Sequence, residues 1–111
     1  MTPTQRTLAL LRKEGWLCHI AEHWNAYAHI RQDAFGVIDI IALRPGTILG
    51  IQCTSAANHA ARREKMRTSE GAAAWLAAGG KLELWSWGRR GPRGKRKTWQ
   101  VNREPFGGGT I

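Results

Sequence analysis

The sequence predicts an α/β domain, a mixed sheet with helices packed against it in the order α-β-β-β-α-α-β-β. Three features predict it: a short amphipathic segment at the N-terminus, two apolar runs of strand length joined by a tight turn, and an Ala-rich helical stretch followed by a cleanly alternating strand. With 111 residues and 42% apolar composition, the chain has the size of one domain and enough apolar matter for a modest core. We place that domain at residues 1–104 and expect the Gly-rich residues 105–111 to form a flexible tail.

Residues 4–14 carry Leu8, Leu10 and Leu11 among Arg6, Arg12 and Lys13, which makes a helix with one apolar stripe. Thr2 is a natural cap, Pro3 suits the first helical position, and Gly15 stops the helix. Residues 16–24 read as a strand from their aromatic and β-branched content, with residues 25–33 as a connection or strand extension. Residues 35–43 form an apolar run interrupted by Asp39 alone. Arg44-Pro45-Gly46-Thr47 is a hairpin turn, and residues 48–54 return as a strand interrupted by Gln52. Residues 55–66 favour a helix, with Thr54 or Ser55 as its cap. Thr68 or Ser69 caps a second helix, which runs through Ala77 and ends at Gly79-Gly80. Residues 81–87 alternate as a strand with one buried face, and residues 98–104 make the last strand.

Seventeen Lys and Arg against eight Asp and Glu leave a net charge of +9, with a pI near 10.8. Such an excess is the electrostatic footprint of a polyanion binder. Arg outnumbers Lys twelve to five, which suits bidentate phosphate contacts. No run reaches the roughly 18 apolar residues of a membrane span, and the N-terminus lacks a signal-peptide pattern, so we expect a cytoplasmic protein with no membrane partner. Cys18 and Cys53 have no metal-ligand spacing and read as reduced thiols in apolar runs.

Asp39 is the most informative residue, because a carboxylate inside an apolar strand is costly to bury unless paired or bound to a cation. With Pro45-Gly46 at the turn centre, Asp39 and Gln52 lie equally far from it and become cross-strand neighbours. Two oxygen-bearing side chains at that range suit a hard divalent cation. Thr54 falls on the same face by strand alternation. Among the other acids, Asp33 reads best as a turn carboxylate paired with Arg31, while Glu22 is equally a ligand or a surface acid. His19, His23, His29 and His59 have no ligand pattern, and no Ser/His/Asp or Cys/His nucleophile set is legible.

Gly36-Val37-Ile38-Asp39 on one strand and Ile51-Gln52-Cys53-Thr54 on the next resemble the motif pair of the PD-(D/E)XK nucleases, nearest to archaeal-type Holliday-junction resolvases and small phage-encoded relatives. The resemblance spans residues 4 to about 87 and implies a restriction-endonuclease-like mixed central sheet flanked by helices. It implies that Asp39 and Gln52, helped by the Cys53 carbonyl, hold Mg²⁺ or Mn²⁺, with Glu22 as the additional upstream acid. It also implies a homodimer, and small residues such as Ala72, Ala73, Ala74 and Ala77 suit helix packing between copies. Two positions depart from the pattern. Gln52 stands where the second acid belongs, which weakens Mg²⁺ affinity, and Thr54 stands where the family has Lys. Arg62, Arg63 or Lys65 on the following helix is the expected source of the missing charge.

For holding DNA, Arg89, Arg90, Arg93, Lys95, Arg96 and Lys97 crowd a Gly/Pro-containing segment that reads as a flexible, phosphate-tracking arm. Arg62, Arg63, Lys65 and Arg67 make a second basic cluster. The six Trp are first of all core filling, and secondarily stacking platforms for exposed bases. These features together favour a metal-dependent DNA endonuclease acting on branched or junction DNA. The alternatives are a nuclease-fold DNA-binding protein that has lost catalysis, and a basic RNA- or ribosome-associated protein, which leaves Asp39 unaccounted for.

Overall fold

The computed structural model describes residues 1–107 and resolves an α/β sandwich around a mixed five-stranded sheet. In chain order it contains α1 (Pro3–Lys13), β1 (Leu17–Ile20), β2 (His23–Asn25), β3 (Ile30–Gln32), β4 (Ile40–Arg44) and β5 (Thr47–Ser55). A 3₁₀ turn (Ala56–Asn58) follows, then α2 (His59–Arg67), α3 (Glu70–Ala77), β6 (Lys81–Arg90) and β7 (Thr98–Phe106). The main sheet has the order β1-β4-β5-β6-β7, and β2 with β3 forms a separate two-stranded ribbon. All pairings in the main sheet are antiparallel except β5 with β6, which the α2–α3 crossover joins in parallel.

Local chemistry accounts for most element boundaries. Thr2 and Gln5 form a reciprocal capping box at α1, Pro3 opens the helix, and Gly15 leaves it at a φ of +90°. Ser69 caps α3 by accepting from the Ala72 N–H. Ser55 precedes α2 as expected, but its side chain makes no capping bond, and the 3₁₀ turn intervenes.

Three expected elements differ. The strand expected over residues 16–24 breaks at Ala21 and Glu22, whose N–H groups both donate to the Asp39 carbonyl. The strand expected from residue 35 begins only at Ile40, because Phe35 and Gly36 both take positive φ and residues 34–38 close a turn. The last strand runs on through Pro105, opposite Glu83, and Phe106, opposite Leu82. Pro105 is tolerated there because β7 is an edge strand. Residues 105 and 106 thus belong to β7 and not to the expected tail, of which residues 108–111 lie outside the described residues.

Strand alternation divides the core into two layers. Ile40, Ala42, Leu49, Ile51 and Trp85 pack against Leu8 and Leu11 of α1. Ile38, Leu82 and Leu84 pack against Met66 of α2 and Ala72 of α3 on the other face. Trp85 and Trp87 are core residues, and Trp87 Nε1 donates to Thr7 Oγ1 of α1. Gly71 is where α3 meets the 34–38 turn. A Cβ there would lie 2.1 Å from the Phe35 carbonyl oxygen, so only glycine allows the approach. Among the described residues no helix is long and apolar enough to cross a membrane.

Candidate functional site

The β4–β5 hairpin sets the site. Its register pairs Ile40 with Ile51 and Arg44 with Thr47, which brings Asp39 opposite Gln52 just past the end of β4. The Asp39 N–H still donates to the Ile51 carbonyl, at 2.9 Å. Because Ile40 and Ile51 face α1, alternation turns Asp39 and Gln52 to the α2 side of the sheet. There Asp39 Oδ2 accepts from Gln52 Nε2 at 2.7 Å and from the Cys53 N–H at 2.8 Å. The two side chains are only 3% and 2% exposed.

One oxygen in this pair is left over. Gln52 Oε1 is buried and has no hydrogen-bond partner among the described residues. Such an atom costs roughly 1–3 kcal/mol relative to a satisfied one. It belongs to the same amide that holds Asp39, and both residues line an open cleft of about 490 Å³.

Three carboxylates converge on this cleft, from Asp39, Glu22 and Asp33. Burial raises the Asp39 pKa to about 7; the Cys53 N–H opposes that rise, and the negative charges of Glu22 and Asp33 add to it. Arg31, Arg62 and Lys65 supply cations to the walls. Arg31 pairs with Glu22 at 2.7 Å, so the expected Arg31–Asp33 pair gives way to an Arg31–Glu22 pair and Asp33 turns to the cleft. Sequence proximity pointed at the wrong partner because the β2–β3 ribbon folds Arg31 back toward Glu22.

The remaining predicted residues divide. Thr54 is buried on the same sheet face, opposite Ser86 in β6, and does not line the cleft. Arg62 and Lys65 do line it, whereas Arg63 is turned away to Glu104, to which its Nε and Nη2 donate. Cys53 contributes its N–H to Asp39, while its thiol lies in the α1-side core, where burial pushes it to about 12. Arg89 and Arg90 extend β6, and Arg93, Lys95, Arg96 and Lys97 belong to the exposed connection to β7. With Leu84 opposite Gln52, Arg89 stands five residues further along its strand, roughly 17 Å from the level of the cleft floor.

A second polar cluster escaped the sequence. His59 Nδ1 lies 2.6 Å from Ser86 Oγ, and its Nε2 lies 2.8 Å from Glu104 Oε1, where Arg63 also binds. Arg63 holds the Glu104 carboxyl below the usual range. Ser86 is 1% exposed, so this Ser–His–Glu set offers no nucleophile to a substrate. It pins α2 to the sheet and thereby positions Arg62 and Lys65. Ser86 between Trp85 and Trp87 was the one available signal, a polar residue in an apolar strand like Asp39.

The donors suit a hard cation in kind, being a carboxylate and an unsatisfied amide oxygen side by side. Among the described residues, however, no three His, Cys, Asp or Glu side chains stand close enough together to hold a metal ion. No family model, curated protein or solved structure matches the chain, so the reading of this cleft rests on its own geometry.

Proposed function

We propose that this chain is a divalent-cation-dependent phosphodiesterase with a restriction-endonuclease-like layout. More particularly, it is a DNA endonuclease directed at branched or junction DNA, working with Mg²⁺ or Mn²⁺ and as a homodimer that offers two clefts to two strands. The observation that carries this reading is the unpartnered Gln52 Oε1 beside Asp39, in a cleft where three carboxylates meet three cations.

The chain's own groups divide the work. Gln52 Nε2 and the Cys53 N–H both engage Asp39 Oδ2, which fixes the carboxylate's orientation and leaves Oδ1 outside those two bonds. Asp39 Oδ1, Gln52 Oε1 and the Cys53 carbonyl are the oxygens that would hold the cation, with Glu22 and Asp33 on the same walls adding negative charge. A cation held there would supply Lewis-acid polarisation of the scissile phosphate and a lowered pKa for the attacking water. Arg62 and Lys65 take over the phosphate-facing charge that Thr54 cannot supply. The exposed cations from Arg89 to Lys97 extend the electrostatic track for the backbone beyond the cleft.

The test uses labelled four-way junction and matched linear duplex, with Mg²⁺ or Mn²⁺ added or chelated. Wild type should nick DNA only with the cation, and Asp39→Asn should lose at least about 100-fold of that rate, as expected when a metal ligand's charge is removed. The second reading, a DNA-binding protein without catalysis, is favoured by the burial of Thr54 outside the cleft. Salt-sensitive binding with no cutting by either protein would establish that reading instead.

A further inference from the structure

The β2–β3 ribbon presents aromatic surface that the fold does not use. Tyr27, at its tip, is 100% exposed, and Trp24 is 56% exposed. The tip is nonetheless ordered by its own chemistry. Asn25 Oδ1 accepts from the Tyr27 and Ala28 N–H groups at 3.0 and 3.1 Å, and Asn25 Nδ2 donates to Gln32 Oε1. His29 takes a φ of 55° to close the turn, and its ring meets Trp24 edge-on at 6.4 Å. A turn built to hold a fully exposed tyrosine contributes little to the core and much to presenting that ring.

The ribbon's position gives the ring a role. Arg31 and Gln32 of β3, and Asp33 just after it, line the carboxylate cleft, so the aromatic tip rises from the cleft wall. Gly36 lines the cleft too, and beside it Phe35 is exposed as well. Trp24 is the cross-strand neighbour of Arg31, and Arg31, Arg62 and Lys65 line the cleft, so exposed rings and cations together offer the two attractions that capture single-stranded nucleic acid: stacking on bases and charge on phosphates. Bases inside a duplex are already stacked and gain nothing from such rings.

We infer that the β2–β3 ribbon is a stacking finger that engages unpaired bases of a DNA strand and delivers the adjoining backbone to the Asp39 cleft. The inference rests on the nuclease reading for the fate of that backbone, and it names the structural feature of the substrate as unpaired nucleotides at a fork, flap or junction centre.

The experiment measures binding to the full chain by fluorescence anisotropy in chelator, where no cutting occurs. The probes are a blunt duplex and the same duplex carrying a single-stranded overhang. Wild type should favour the overhang substrate by about tenfold or more, and Trp24→Ala/Tyr27→Ala should lose about tenfold more affinity for it than for the blunt duplex. Tyr27→Phe, which keeps the ring, should preserve the preference. Tyr27→Ala alone serves as the variant that cannot disturb packing, since that side chain touches none. Absence of a preference in wild type overturns the inference, as does equal weakening on both probes. So does a change from dimer to monomer in sedimentation, because the rings would then be covered by a second copy. If no cutting is ever seen but the preference holds, the nuclease reading falls and the finger stands; if cutting is robust and the double variant keeps its preference, the finger alone falls.

Discussion

On the α2 face of the sheet, two buried polar clusters invite comparison. Around His59 the bonds close. Both ring nitrogens have partners, Ser86 and Glu104 are engaged, and Arg63 neutralises the carboxylate. Around Asp39 they do not, because Gln52 Oε1 lacks a partner among the described residues and the Asp39 carboxyl is pushed up to about 7 by burial and neighbouring acids. A closed network holds elements together. An open one beside a cleft stores unfavourable energy that a ligand can release, and under the proposed reading a cation would relieve both the orphan oxygen and the carboxylate crowding.

Three substitutions test whether the two clusters differ in this way. The largest effect is expected at Asp39. Its folded pKa, about 7, lies above the ordinary 3.8, so the fold favours the protonated form. That contribution is fully present below about pH 3.8 and is lost as pH rises through about 7, on the order of a few kcal/mol. Asp39→Asn should therefore melt above wild type at pH 8, with the gap shrinking toward pH 4. Mg²⁺ should raise the wild-type Tm at pH 8 and leave that of the variant unmoved. Parallel pH profiles for the two proteins would contradict the open cluster.

His59→Ala comes next. It strands Ser86 Oγ and loosens Glu104, which should lower stability by roughly 2–3 kcal/mol in urea titration. A loss under about 0.5 kcal/mol would mean that the closed network does not anchor α2. The smallest effect belongs to Gln52→Leu, which removes the orphan oxygen while the Cys53 N–H still holds Asp39. Its stability should stay within about 1 kcal/mol of wild type, with the Mg²⁺-dependent Tm shift gone. A loss as large as that of His59→Ala would show that the Gln52 Nε2–Asp39 bond outweighs the relief of the orphan oxygen.

Much of the Asp39 side was legible in advance, and almost none of the His59 side. Asp39 and Gln52 are related by a single hairpin, so counting outward from Pro45-Gly46 gives their pairing and strand alternation gives their shared face. His59, Ser86 and Glu104 are separated by 27 and 45 residues across the α2–α3 crossover and the β6–β7 pairing. No local pattern links residues that far apart. The same limit misdirected Arg31, whose neighbour in sequence is Asp33 but whose neighbour in space is Glu22.

Local pattern sufficed for the α/β class, the capped N-terminal helix, the approximate places of the five main-sheet strands and the cross-strand meeting of Asp39 with Gln52. Each of these follows from short-range periodicity, capping or turn chemistry. Long-range packing alone settled which cations reach the cleft, sending Arg62 and Lys65 into it and Arg63 to Glu104. It also split the first expected strand and lifted an aromatic ribbon beside the site. Side-chain direction on a helix becomes meaningful only once the helix is docked, and the docking of α2 depends on partners from β6 and β7.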